Sequence, residues 1–183
     1  EANLLMGCEL VLCGDVTVGK EVLDRIVQKA PEALETVPAY YYRGTACETL
    51  GDFAGAVLEY DMILRRFPKH ALAPQAALNK GLIAEKILQN AKRAREVYDA
   101  FVTNYPDHPS FAAVQNHLAL MSEQAEDWER AVTLYRDYAT RFPKDIGDQL
   151  MNGGVAGPAR SMWQGATLAW ERLRNPKLSV SLY

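Results

Sequence analysis

Apolar and polar positions over residues 40–68 follow the pattern of two amphipathic helices joined by a tight turn. Asp52 is placed to N-cap the second helix, because its side chain can accept a bond from a backbone N–H. Pro68 cannot continue a helix and ends the unit. Ala56 and Tyr60 are four residues apart, so a small and a large side chain share one helix face. Such a hairpin cannot bury its apolar face alone, and the pattern predicts similar neighbours.

This hairpin pattern repeats along the chain at a nearly constant spacing. Prolines that follow a helix recur at intervals of 37, 38 and 37 residues, at Pro31, Pro68, Pro106 and Pro143. A small residue twelve before each proline and a large one eight before it make the same pair each time: Gly19 and Leu23, Ala56 and Tyr60, Ala94 and Tyr98, and Ala131 and Tyr135. Residues suited to an N-cap stand sixteen before each proline, at Asp15, Asp52, Asn90 and Asp127.

The spacing predicts eight helices in these four units. The second helices are predicted over 16–29, 53–67, 91–105 and 128–142, and the first helices over 2–13, 37–50, 72–88 and 110–125. Gly7, Gly44 and Ala119 supply small residues in the first helices, which lets two helices pack closely. The interval of 38 adds one residue at the third unit. It lies inside that hairpin if Gly81 is equivalent to Gly44, which we favour, and in the preceding connection if Leu82 is.

This pattern resembles the tetratricopeptide repeat family over about residues 1–143. In that family a small residue of the first helix precedes the alanine of the second by twelve positions, as Gly44 precedes Ala56. The units here are longer than the usual repeat, and bulky side chains occupy a position where the family has alanine: Ile26, Ile63, Phe101 and Tyr138. The resemblance implies an all-α fold, a right-handed superhelical array of helix hairpins with a C-terminal capping helix.

The long connections after the prolines are similar to those of a variant found in bacterial cell-envelope proteins. They read F-P-K-H-A-L-A-P-Q-A-A, Y-P-D-H-P-S-F-A-A and F-P-K-D. Members of this variant include the lipoprotein of the outer-membrane barrel-assembly machinery and the periplasmic protein associated with the Tol-Pal system. The resemblance implies a periplasmic or cell-envelope location, with the cytoplasm as the alternative.

Beyond Pro143 the repeat pattern stops. We predict a repeat domain over 1–145 with units at about 1–31, 37–68, 72–106 and 110–143, a glycine-rich connection over 146–157, and a capping helix and tail over 158–183. An apolar stripe at three- and four-residue steps predicts the helix: Met162, Trp163, Ala166, Ala169, Trp170 and Leu173. We interpret it as the cap that covers the last hairpin, with a partner-binding helix as the alternative. Alternating apolar residues predict an extended tail over 177–183.

Composition and charge argue against several other classes of protein. The net charge is −3 and the pI is near 5.7, with acidic and basic residues interspersed, which argues against a nucleic-acid partner. No apolar run reaches about 18 residues, so we predict no membrane-spanning segment. The chain begins at Glu1 without the charged and apolar regions of a signal peptide, and we expect a mature or trimmed segment.

The sequence lacks a recognisable catalytic or cofactor motif, and we predict a non-enzymatic protein with no cofactor and no metal site. Cys8, Cys13 and Cys47 have no metal-ligand spacing. We interpret them as small buried side chains on helices, with one reactive thiol as the alternative. His70 and His108 stand two residues after equivalent prolines, which favours a structural role in the connections.

The family resemblance also implies a binding surface, because the first helices of such arrays line a concave groove. It carries groove positions onto Tyr41, Thr45 and Glu48 in the second unit, Leu78, Leu82 and Glu85 in the third, and Asn116, Leu120 and Glu123 in the fourth. The equivalent positions in the first unit are Leu4, Cys8 and Val11. Three carboxylates then form a ladder that would attract basic side chains of a partner, with an apolar floor beside it. The alternative is that these glutamates only solvate helix surfaces.

The leading hypothesis is therefore a protein-binding scaffold for a partner protein or peptide. The alternatives are a self-assembling homo-oligomer that uses exposed apolar stripes, or the regulatory array of a larger protein.

Overall fold

The computed structural model describes residues 2–141 and 158–181, and these ranges contain helices and no strands, which confirms the all-α prediction. The helices run α1 Ala2–Cys13, α2 Val16–Lys29, α3 Val37–Thr49, α4 Phe53–Arg66, α5 Ala73–Leu82, α6 Ala91–Asn104, α7 Phe111–Gln124, α8 Trp128–Arg141, α9 Pro158–Glu171 and α10 Pro176–Ser181. A 3-10 turn, Leu34–Thr36, precedes α3, and a π-helical turn, Ile83–Ile87, follows α5. With that turn counted in α5, the bounds of α1 to α7 lie within one residue of prediction.

The chain divides into two compact units, Glu1–Val97 and Tyr98–Tyr183, each larger than a single hairpin. These two larger parts are called unit 1 and unit 2 from here on. In unit 1, α1 packs against α2 and α3 against α4. In unit 2, α7 packs against α8 and α8 against α9.

Small residues let the paired helices of unit 1 approach closely. A Cβ added at Gly44 on α3 would lie 2.7 Å from the ring of Tyr60, which is fully buried on α4. A Cβ at Gly19 on α2 would lie 2.8 Å from the backbone nitrogen of Val11 on α1. In unit 2 the equivalent residues Ala119, Ala131 and Tyr135 form one fully buried cluster. The small residues of the repeated pattern thus lie where two helices approach closely, and the large residues fill the space beside them.

The turns inside the hairpins combine an N-cap with a left-handed residue before it. The side chains of Asp52, Asn90 and Asp127 each accept a bond from the backbone N–H three residues later, at 2.9, 3.0 and 3.4 Å. Asp15 occupies the predicted N-cap position of α2, but its side chain makes no capping bond. The preceding residues have positive φ and are Gly14, Gly51, Gln89 and Glu126. Only the two glycines adopt this conformation without steric cost.

The extra residue of the third hairpin lies in the π-helical turn. The backbone N–H of Asp52 bonds to the carbonyl of Cys47, and that of Asp127 to the carbonyl of Ser122, five residues back in each case. The equivalent bond from Asn90 reaches Ala84, six residues back. Gly81 therefore keeps the register of Gly44 and Ala119, and the inserted residue falls between 84 and 90.

Two connections share one histidine-based structure. Nδ1 of His70 accepts a bond from the backbone N–H of Leu72 at 3.1 Å, and Nδ1 of His108 accepts one from Ser110 at 3.1 Å. Each histidine nitrogen satisfies a backbone donor just before the next helix, α5 or α7. This supports the structural reading of both residues.

The C-terminal helices depart from the sequence reading in two respects, because Trp163 and Trp170 of the predicted stripe are exposed and the tail is helical. Ala166 and Ala169 of α9 are fully buried against Val132 of α8, with Leu168, Leu173 and Leu178 packed around them. The predicted extended tail is wrong, because residues 176–181 form α10. Asn175 Oδ1 accepts the backbone N–H of Leu178 at 3.0 Å, and Pro176 suits a first helical turn. The predicted connection over 146–157 lies outside the described residues.

The cysteines also differ from one another. Cys8 and Cys47 are buried, and burial raises the pKa of the Cys8 thiol to about 11. Cys13 is exposed at the end of α1, so the expectation that all three are buried is wrong.

Candidate functional site

The predicted binding positions of unit 1 lie on α3 and on α5 with its π-helical turn. Both helices bury a face of alanines completely, and these are Ala39, Ala46, Ala73 and Ala76. Half-buried side chains are found at Tyr41, Thr45 and Glu48 of α3, at Leu78 of α5 and at Glu85 of the π-helical turn. Leu82 of α5 is 49% exposed. These six side chains are therefore at least partly accessible on their helices.

A hydrogen-bond network joins α3, α4 and α5 at this place. The hydroxyl of Tyr60 donates to Oε1 of Glu48. The side-chain nitrogen of Asn79 lies 3.1 Å from the Tyr60 hydroxyl and 3.3 Å from the Tyr41 hydroxyl. Asn79 Oδ1 in turn accepts from Gln75 Nε2 at 3.1 Å. The network links two predicted binding residues, Tyr41 and Glu48, through two residues that the sequence reading did not assign to the site.

The two tyrosine hydroxyls of the network have raised pKa values, so they lose their protons less readily than exposed tyrosines do. Burial raises the pKa of Tyr60 well above its usual value, and the bond to Glu48 raises it further. Burial also raises the pKa of Tyr41, although the bond from Asn79 opposes the effect. The ring of Tyr41 packs at 5.8 Å from that of Tyr60 and edge-on at 5.5 Å from that of Tyr42. Tyr41 is thus a positioned, neutral side chain.

The three glutamates of the predicted ladder have different surroundings. Glu48 accepts the Tyr60 bond, and Glu85 forms an ion pair with Lys86 at 2.5 Å. Glu123 of unit 2 is half-buried, and its Oε1 is buried with no hydrogen-bond partner. The carboxylates of unit 1 are therefore already engaged within the chain.

The remaining predicted residues of unit 2 lie on α7. Leu120 is half-buried, whereas Asn116 is only 4% exposed. Asn116 therefore offers little surface to a partner in this structure.

A second set of polar contacts, which the sequence reading missed, connects successive hairpins in unit 1. Arg43 Nε lies 2.9 Å from Asp24 Oδ1 of α2, and its Nη2 lies 2.8 Å from Glu59 Oε1 of α4. Lys80 of α5 pairs with Asp61 of α4 at 2.5 Å. Arg43 and Lys80 each precede the small residue of a first helix by one position, and Asp24 and Asp61 each precede a proline by seven. That periodicity was visible in the sequence and could have identified these pairs.

Among the described residues, no group of three or more histidine, cysteine or acidic side chains is arranged to hold a metal ion. Within the same ranges no helix has the length and apolar character needed to cross a bilayer.

Repeated helix hairpins with small-and-large packing pairs define a helical-repeat protein, a class that offers extended binding surfaces. Sequence profiles described as tetratricopeptide repeat match residues 4–71, 63–109 and 88–146. The chain belongs to the tetratricopeptide repeat family. Proteins of this family are generally non-catalytic interaction scaffolds.

Several solved structures share the fold at low sequence identity. MamA 41-end from Desulfovibrio magneticus RS-1 is 19% identical with a TM-score of 0.58, over 99% of this chain and 89% of that chain. The tetratricopeptide-like repeats of a putative kinesin light chain from Podosopora anserina are 16% identical with a TM-score of 0.57, over 99% and 92%. PilW, a type IV pilus biogenesis factor, is 13% identical with a TM-score of 0.55, over 99% and 89%. Among curated proteins, no match was found.

Proposed function

We propose that this chain is a non-catalytic scaffold that holds a partner protein or peptide on the first helices of its repeats. The binding positions are Tyr41, Thr45, Glu48, Leu78, Leu82 and Glu85 in unit 1, and Leu120 and Glu123 in unit 2, where the predicted Asn116 is buried and offers little surface. The observation that carries the proposal is in unit 1, where a hydrogen-bond network holds Tyr41 in place while Leu82 stays 49% exposed. A fixed aromatic side chain with an exposed leucine nearby on the next first helix suits an apolar anchor of a partner.

The contacts that Glu48 and Glu85 already make within the chain indicate which kind of partner contact dominates affinity. Because Glu48 and Glu85 are engaged by Tyr60 and Lys86, we propose that apolar contacts dominate affinity and that the carboxylates tune orientation. We further propose four hairpin units closed by a capping helix, acting in a bacterial envelope complex. The long connections after the prolines support the envelope assignment, in the manner of the barrel-assembly and Tol-Pal proteins.

Replacing Leu82 by aspartate tests the binding surface. A displayed library of dodecamer peptides is selected on the immobilised wild-type chain, and the affinity of a selected peptide is measured by calorimetry. We expect Leu82→Asp to weaken binding by about 10-fold or more, because an apolar anchor contributes roughly 1.5–3 kcal/mol.

Leu58→Asp is the matched control, because Leu58 is 66% exposed but lies on the second helix α4. Its affinity should equal that of the wild type. Equal losses in both variants, or no selected peptide at all, would remove the first helices from the proposal.

A second candidate function is self-assembly, and the exposure of two tryptophans favours it. Trp163 and Trp170 lie seven residues apart on α9 and are 55% and 60% exposed. A second copy is the occupant that this candidate requires. Sedimentation equilibrium over a wide concentration range separates the two functions, because a monomer at all concentrations contradicts self-assembly.

A further inference from the structure

The orientation of the Asn79 amide follows from the proton balance of the network in unit 1. A carboxylate can only accept hydrogen bonds, so the proton of the Tyr60 hydroxyl must go to Glu48. The Tyr60 oxygen must then accept from Asn79, which places the NH₂ group of Asn79 toward the tyrosines. The bond from Gln75 Nε2 to Asn79 Oδ1 agrees with this orientation.

The same assignment of donors and acceptors leaves the hydroxyl proton of Tyr41 unused within the network. The NH₂ group of Asn79 has two hydrogens, one for Tyr60 and one for Tyr41, so the Tyr41 oxygen acts as an acceptor. The hydroxyl proton of Tyr41 then has no acceptor among the contacts of the described residues. Because Tyr41 is half-buried and its ring packs against those of Tyr42 and Tyr60, the directions open to this proton are restricted.

The charges around Tyr41 select the kind of acceptor. The carboxylate of Glu48 belongs to the same network through Tyr60 and Asn79, and its negative charge adds to the raised pKa of the Tyr41 hydroxyl. A second carboxylate brought there by a partner would be repelled, whereas a neutral carbonyl oxygen would not. The acceptor that fits is an amide carbonyl of a peptide main chain.

We propose that Tyr41, positioned by Asn79, donates a hydrogen bond to a main-chain carbonyl of the bound peptide. This inference rests on the proposed function, since it names how the same surface of unit 1 recognises its partner. It makes Tyr41 a specificity-determining residue that favours an uncharged or basic segment and rejects an acidic one at that position.

The variant Tyr41→Phe tests the inference with the peptide selected above. It removes the hydroxyl and keeps the ring, and we expect affinity to fall about 3- to 10-fold, as for loss of one neutral hydrogen bond. Tyr42→Phe is the control, because Tyr42 is also half-buried but belongs to no hydrogen bond of the network. Its affinity should not change.

An ester scan of the peptide gives a second readout. Each amide is replaced in turn by an ester, whose carbonyl is a weaker acceptor. At one position the ester should weaken binding to the wild type and should have no further effect on Tyr41→Phe, because the bond is already lost.

The inference is overturned if Tyr41→Phe binds as the wild type does, or if no ester position shows this coupling. Failure of the proposed function is a different result, in which Leu82→Asp is also without effect.

Discussion

Replacing Arg43 by methionine is expected to lower the free energy of unfolding by about 2–4 kcal/mol at neutral pH. The side chain of Arg43 is 18% exposed, and it pairs with Asp24 at 2.9 Å and Glu59 at 2.8 Å. Methionine keeps the length of the side chain but leaves two partly buried carboxylates without their shared cation. Denaturant unfolding followed by circular dichroism measures the loss.

The loss should depend on pH in a defined direction. Burial raises the pKa of Glu59 above its usual value of 4.5, and Arg43 opposes that rise. A carboxyl group with a raised pKa in the folded state favours folding below its unfolded pKa and loses that contribution as pH rises through the folded value. Removing Arg43 raises the folded pKa of Glu59 further. The free energy of unfolding of the variant should therefore approach that of the wild type near pH 4 and be lower than it toward pH 7.

Arg65→Met is the matched control for this prediction. Arg65 is 79% exposed and lies 3.8 Å from Asp61, so its removal should cost less than about 0.5 kcal/mol at any pH. Equal losses for the two variants, or an Arg43→Met loss that does not shrink at low pH, would show that the Arg43 pairs do not couple the hairpins.

Gly44→Ala is the second change with a large expected effect, a loss of about 1–3 kcal/mol from overpacking. The added Cβ would lie 2.7 Å from the Tyr60 ring, and Tyr60 cannot move away without breaking its bonds to Glu48 and Asn79. Alanine occupies the equivalent place in α7, where Ala119 is buried in one cluster with Ala131 and Tyr135. Thermal and denaturant unfolding of the variant measure the loss.

A double-mutant cycle separates the clash from other effects of alanine. Without the ring, in a Tyr60→Ala background, Gly44→Ala should be neutral or stabilise by up to about 1 kcal/mol through helix propensity. The same loss in both backgrounds would mean that the close approach of α3 and α4 is not the cause.

The period of the prolines and of the small-and-large pairs predicted most of the fold, because those residues set the spacing and packing of helices directly. The prediction that Gly81, and not Leu82, is equivalent to Gly44 is also confirmed, since the inserted residue falls in the π-helical turn. Three alternating residues, however, are too few to distinguish a strand from α10, whose cap at Asn175 was overlooked. Gln89 and Glu126 adopt the left-handed conformation without being glycine, so their residue types gave no signal.

The candidate site was less predictable, because it depends on contacts between residues far apart in the chain. Tyr60 was assigned only to packing, yet its hydroxyl binds Glu48, twelve residues away on another helix. Asn79 lies 38 residues from Tyr41, and no local pattern indicates their bond. The groove positions came from the family resemblance, which places a residue on a surface but does not reveal its neighbours.

Hydrogen exchange of the wild-type chain with and without a selected peptide tests most directly whether the partner is held on the first helices. In unit 1, added protection is expected in α3 and α5, over Val37–Thr49 and Ala73–Leu82. Protection confined to the second helices α2 and α4, Val16–Lys29 and Phe53–Arg66, would contradict the account.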